Sequence, residues 1–103
     1  MSVTNTGTLR DGETLRVVSA KYDLTGQREM LWAADKGHKV GDASCTQRFR
    51  FSNDTKPTER PSMLLCWRTS EAKSVVTVAV TKEGRPSEEK TVAALQKEWM
   101  KLG

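Results

Sequence analysis

Apolar positions concentrate in one stretch of this chain, Ser62 to Val80, broken once by the polar turn Ser70-Glu71-Ala72-Lys73. Two β-rich runs around such a turn predict a hairpin. Both runs are apolar on both faces over part of their length, which places them at the centre of a sheet. Alternation about the turn puts Met63, Leu65 and Trp67 on one face with Val76, Val78 and Val80. The other face carries Cys66 with Leu64, Arg68, Thr77, Ala79 and Thr81. Downstream, Pro86 stops the last strand, Ser87 is an apt N-cap, and Glu88 and Glu89 suit the first helical turn. Val92, Leu95, Trp99 and Leu102 then recur as one helical stripe. That stripe is expected to cover the valine-bearing face and form the main core with it.

Upstream of the hairpin, Cys45-Thr-Gln-Arg-Phe-Arg-Phe51 alternates with period two and predicts a strand over residues 43–52. Cys45, Gln47, Phe49 and Phe51 share one face, and Thr46, Arg48 and Arg50 the other. Residues 52–61 form a polar loop longer than a tight hairpin needs, which marks it as a candidate functional loop. Over residues 24–37 the helix formers Gln27, Arg28, Glu29, Met30, Leu31, Ala33 and Ala34 follow Thr25 and precede Gly37. They predict a short amphipathic helix with Thr25 as N-cap and Gly37 at C′; a strand over 28–34 is the alternative. Asp11-Gly12 between alternating residues predicts a hairpin over 7–19. Residues 1–6, small and polar, read as a disordered tail. The expected fold is α+β and a single domain over 7–103: an antiparallel β-sheet with an N-terminal hairpin, one short helix after it, three central strands, and a C-terminal amphipathic helix packed on the sheet.

Cys45 and Cys66 introduce a conflict of register. If their strands are antiparallel neighbours, the two sit opposite each other, and a bridge closing a loop of this size would contribute roughly 3 kcal/mol. Phe49 and Phe51, however, share a face with Cys45 and would pack better against Trp67 and the valines. A one-residue slip exchanges faces, so a regular sheet cannot satisfy both demands. A β-bulge, or cover on both faces of the sheet, would resolve it. Two cysteines in a small chain without metal partners point to one disulfide and an oxidising compartment. The alternative is a pair of buried thiols in a cytosolic protein.

The 103 residues suffice for one modest core, to which Trp32, Trp67 and Trp99 contribute from three separate segments. No run approaches the ~20 apolar residues of a membrane span, and the first residues lack a signal-peptide core. The expectation is the extracellular or cell-surface, mature part of a secreted protein, with a cytoplasmic protein as the alternative. Net charge is +4, with 17 Lys and Arg against 13 Asp and Glu, and the signs are well mixed. One local bias stands out: Arg48, Arg50, Lys56, Arg60 and Arg68 against Asp54 and Glu59. These cations, with the 52–61 loop, are the candidate contact surface for a protein or anionic ligand. Nucleic-acid binding through the same arginines is the alternative; it would call for exposed aromatics, and those here look committed to the core.

Catalytic chemistry has little to work with. His38 is the sole histidine and stands in a glycine-rich loop, where a surface imidazole is the simpler reading. CxxC, HExxH, GxxxxGK[ST] and GxSxG patterns do not occur. Asp35 and Asp42 are the one acidic pair near the His38 loop. The expectation is a protein that is not an enzyme and uses no metal or cofactor.

The order of hairpin, helix, three strands and C-terminal helix resembles the Mog1/PsbP-like α/β/α sandwich, a fold that includes small actinobacterial lipoproteins. Ala43-Ser-Cys-Thr-Gln47 and Leu65-Cys-Trp-Arg-Thr-Ser70 are also similar to paired-cysteine segments of small secreted bacterial proteins. The resemblance implies a fold and transfers no functional residue.

Overall fold

The computed structural model describes residues 1–24, 30–50 and 58–102. Its strands are β1 (Ser2–Thr8), β2 (Glu13–Ala20), β3 (His38–Val40), β4 (Ala43–Thr46), β5 (Arg48–Phe49), β6 (Thr58–Glu59), β7 (Met63–Thr69) and β8 (Ser74–Thr81), followed by helix α1 (Glu88–Lys101). Six of them form one antiparallel sheet in the order β1-β2-β8-β7-β4-β3, and β5 and β6 form a separate two-stranded ribbon. The α+β class, the N-terminal hairpin, the central strands and the helix packed on the sheet all agree with the sequence expectation.

The β7–β8 hairpin is central, flanked by β4 and β2. Its turn is closed by the Ser70 amide donating to the Lys73 carbonyl at 2.9 Å and the Ser70 hydroxyl bonding the same carbonyl at 2.9 Å. Both faces of the sheet are buried, which explains why β7 and β8 read as apolar on both sides. One cluster joins Ala43, Cys45, Leu64, Cys66, Val75 and Ala79 to Val92 and Leu95 of α1. The other joins Val18, Ala20, Leu24, Phe49, Leu65, Val76 and Val78, with Met30, Trp32, Met63, Trp67 and Val80 packed against it.

The helix therefore lies on the opposite face from the one expected. Val92, Leu95 and Trp99 do form its buried stripe, but they cover the face of Cys66 and Ala79, not that of Val76, Val78 and Val80. Small residues on that face, Ala43, Cys45, Thr77 and Ala79, let a helix approach closely, and Trp99 and Leu102 complete the cover. The larger valine-bearing face is covered by chain from residues 24 and 30–33 together with Phe49.

Three further expectations change. Residues 2–6 are not a disordered tail: Ser2–Thr8 pairs along its whole length with β2, from Ser2↔Ser19 to Thr8↔Glu13. The β-branched residues Val3, Thr4, Thr6 and Thr8 supply a β preference that the polarity of the stretch masks. The strand expected over 43–52 breaks after Thr46, so that β4 and β5 belong to different sheets. Of the helix expected after β2, the described part is a single 3-10 turn, Met30–Trp32, after which Ala33 bridges Phe49 in extended form. Thr25 and residues 26–29 lie outside the described residues, as do Phe51 and the loop from Ser52 to Pro57.

At the helix start the Ser87 hydroxyl accepts from the Lys90 amide at 3.1 Å, satisfying one of the otherwise unpaired first-turn donors. Ser87→Ala is expected to cost about 1 kcal/mol, read as a lower urea midpoint with an unchanged slope.

Candidate binding surface

The register conflict is resolved at Gln47. Cys45 stands directly opposite Cys66 across β4 and β7, both at 0% exposure, with sulfurs 2.09 Å apart, the separation of a disulfide bond. Two residues beyond Gln47, Phe49 is 1% exposed in the cluster on the other side of the sheet. Gln47 belongs to neither strand, and its polar groups hold the crossover in place. Its side-chain amide donates to the Pro61 carbonyl at 2.8 Å, and its backbone carbonyl accepts from the Arg60 amide at 2.7 Å. Its side-chain oxygen accepts from the Arg85 guanidinium at 2.8 Å. The Arg48 amide, turned back, donates to the Thr46 hydroxyl at 3.1 Å. One polar residue among Cys45, Phe49 and Phe51 was the only mark in the sequence of this change of face.

The crossover carries β5 onto the outer side of the second core, where it is held on both edges. β6 pairs with it as Arg48↔Glu59 and Phe49↔Thr58. On the other edge the Arg50 amide donates to the Trp32 carbonyl at 2.9 Å, and the Ala34 amide to the Arg48 carbonyl at 3.1 Å. With Phe49 turned inward, alternation turns Arg48 and Arg50 outward, and both are exposed. Arg60 is exposed at the end of β6. Arg85, 3.5 Å from Glu59 and bonded to Gln47, joins the same surface. It comes from the turn before α1, and its part here was not visible in the sequence, because only the fold brings residue 85 beside residues 47 and 59. On this surface the Glu59 carboxylate is engaged by Arg85.

Arg68 is not part of this group. It lies on the helix side of the sheet at 29% side-chain exposure, where it donates to the Gln96 side-chain oxygen at 2.7 Å. Its guanidinium stands 4.1 Å from the centre of the Trp99 ring and 3.7 Å from Asp42. Lys73 approaches the same ring at 4.6 Å and donates to the Trp99 carbonyl at 3.2 Å. Arg68 thus ties α1 to β7. It also borders a polar groove of about 340 Å³ with Lys39, Asp42, Ser70 and Trp99, in which Asp42 offsets its charge. Of the five sequence-selected cations, Arg48, Arg50 and Arg60 come together on the ribbon, Arg68 stands apart, and Lys56 lies outside the described residues.

The remaining candidates have structural partners. His38 Nε2 lies 2.9 Å from both carboxylate oxygens of Glu88, joining the β3 edge to the first turn of α1. Asp35 accepts from the Gly37 amide at 2.9 Å, and Asp42 faces Arg68. Gly37 takes a φ of +69°, and a Cβ there would fall 2.6 Å from the Cys45 carbonyl, so glycine is required for this close approach. Among the described residues no group of three His, Cys, Asp or Glu side chains converges as metal ligands would. No helix among them is long and apolar enough to cross a membrane. The chain matches no protein-family model, no curated protein and no solved structure at a significant level.

Proposed function

We propose that this chain is a non-enzymatic binding module, secreted or surface-attached, that holds an acidic protein segment or other anionic ligand on the β5–β6 ribbon. The observation that carries this reading is the split within three consecutive residues: Phe49 is buried, while Arg48 and Arg50 on either side of it point to solvent. A guanidinium fork held on a rigid strand recognises carboxylate, sulfate or phosphate at small entropic cost. The neighbouring 52–61 loop adds Lys56 and Arg60 by sequence. The bonded sulfurs of Cys45 and Cys66 support an oxidising compartment.

Elution from immobilised heparin, used as a polyanion probe, tests the ribbon against bulk charge. Arg48→Ala with Arg50→Ala is expected to elute at clearly lower salt and to bind about tenfold more weakly. Two exposed charge contacts of up to about 1 kcal/mol each account for that factor. Lys97→Ala with Lys101→Ala removes the same charge from the exposed side of α1 and is expected to elute like the unaltered protein. Equal shifts for the two pairs would reduce the effect to net charge and overturn the assignment.

A further inference from the structure

The two edges of the six-stranded sheet are treated very differently. At one edge β3 is short, His38–Val40, and carries Lys39, and both features discourage pairing with another chain. At the other edge β1 runs Ser2–Thr8 as Ser-Val-Thr-Asn-Thr-Gly-Thr, with no charge and no proline, and every residue exposed. Among the described strands its one ladder partner is β2. Such an edge lacks the usual protection against strand addition.

The hydrogen-bond parity of the sheet identifies which backbone groups this edge offers. The Lys82 amide donates to the Gly12 carbonyl at 2.8 Å, so even-numbered residues of β2 bond towards β8 and odd-numbered ones towards β1. Through the register Ser2↔Ser19, Thr4↔Val17 and Thr6↔Leu15, the groups of Ser2, Thr4 and Thr6 turn inward to β2. The N–H and C=O of Val3 and Asn5 therefore face outward. Gly7, at φ +75°, bends the strand before Thr8 and leaves Ser2–Thr6 as the straight edge.

We infer that this edge pairs with the same edge of a second copy of the chain, antiparallel and centred on Thr4. In that register Val3 and Asn5 of one copy exchange backbone hydrogen bonds with Asn5 and Val3 of the other. Thr4 then meets Thr4 in a close non-hydrogen-bonded pair, and Ser2 meets Thr6, both favourable cross-strand combinations. Self-complementarity about one residue is what a two-fold symmetric contact requires. The neutral edge also lets two chains of charge +4 approach without opposing like charges at the contact. Only one strand edge is joined, so the association is weak and seen at high protein concentration.

Sedimentation of the folded protein over a wide concentration range tests this. The expected result is a concentration-dependent shift from monomer to dimer. It should be lost in Thr4→Lys, which sets like charges face to face, and in Asn5→Pro, which removes one outward N–H. Thr4→Cys checks the register, because its sulfur would meet its own copy in the same pair geometry as Cys45 and Cys66, whose sulfurs are buried. Under mild oxidation Thr4→Cys should form covalent dimer markedly faster than Asn5→Cys. A monomer at all concentrations would leave the edge to an extended segment of another protein and refute self-pairing. A dimer unaffected by Thr4→Lys and Asn5→Pro, or equal cross-linking of the two cysteine variants, would refute it as well.

Discussion

Reducing the Cys45–Cys66 bond is expected to remove about 3 kcal/mol of folding stability, since the two cysteines are 21 residues apart in sequence and the loop they close restricts the unfolded chain. The bond lies between β4 and β7 inside the helix-side cluster, and both sulfurs are shielded from solvent. Everything between Thr46 and Leu65, including the whole β5–β6 ribbon, lies inside the loop it closes. The cross-link thus fixes both ends of the segment that carries Arg48, Arg50 and Arg60. Urea unfolding of protein refolded with and without reductant measures the effect as a fall in midpoint. The reduced protein should also bind immobilised heparin more weakly if the ribbon loosens. An unchanged midpoint would show that the pair contributes no constraint.

Phe49→Ala is expected to cost about 3–5 kcal/mol, the range for truncating a fully buried aromatic side chain. Phe49 is the side chain by which the ribbon reaches the second core, where it joins Val18, Leu65, Val76 and Val78. Its neighbours provide an internal contrast. Arg48→Ala and Arg50→Ala remove exposed side chains and should change stability by no more than about 0.5 kcal/mol either way. Under the proposed function, stability and binding separate along three adjacent residues, the middle one buried in the second core and the outer two exposed to solvent. Chemical denaturation of the three single variants decides it. A small cost at Phe49 comparable to that at the arginines would mean that the ribbon is not docked on the sheet.

The elements that were legible in advance are those whose patterns are local. The hairpin around Ser70–Lys73 and the helix begun by Ser87 are specified by neighbours a few residues apart, and both form where their patterns lie. The face that the helix covers is not local information. Val76, Val78 and Val80 form the more apolar face of β8, yet the helix takes the side lined by Ala43, Cys45 and Ala79, where small side chains leave room for it. The conflict between Cys45 and Phe49 was readable as a conflict, and its resolution by cover on both faces was among the possibilities. The position of the crossover depended on Gln47 finding Pro61, Arg60 and Arg85, which are distant in sequence. Arg68 shares a face with Arg48 and Arg50 only in the register that sets Phe49 and Phe51 on the side of Trp67. With Cys45 opposite Cys66 and β5 laid over the second core, the arginines end on different sides of the molecule. Ser2–Thr6 reads as a tail in the sequence because its β preference comes mainly from threonine, and a polar strand at an edge has no buried face to mark it.

Under the proposed function, the anion-binding surface is the ribbon carrying Arg48 and Arg50, not the groove beside Arg68. Amide chemical-shift mapping of the folded protein, titrated with a short heparin oligosaccharide, tests it most directly. Saturable shifts centred on Arg48, Arg50, Glu59 and Arg60 are predicted, with Lys39, Arg68 and Trp99 unmoved. Shifts centred on Lys39, Arg68 and Ser70, with the ribbon silent, would contradict it.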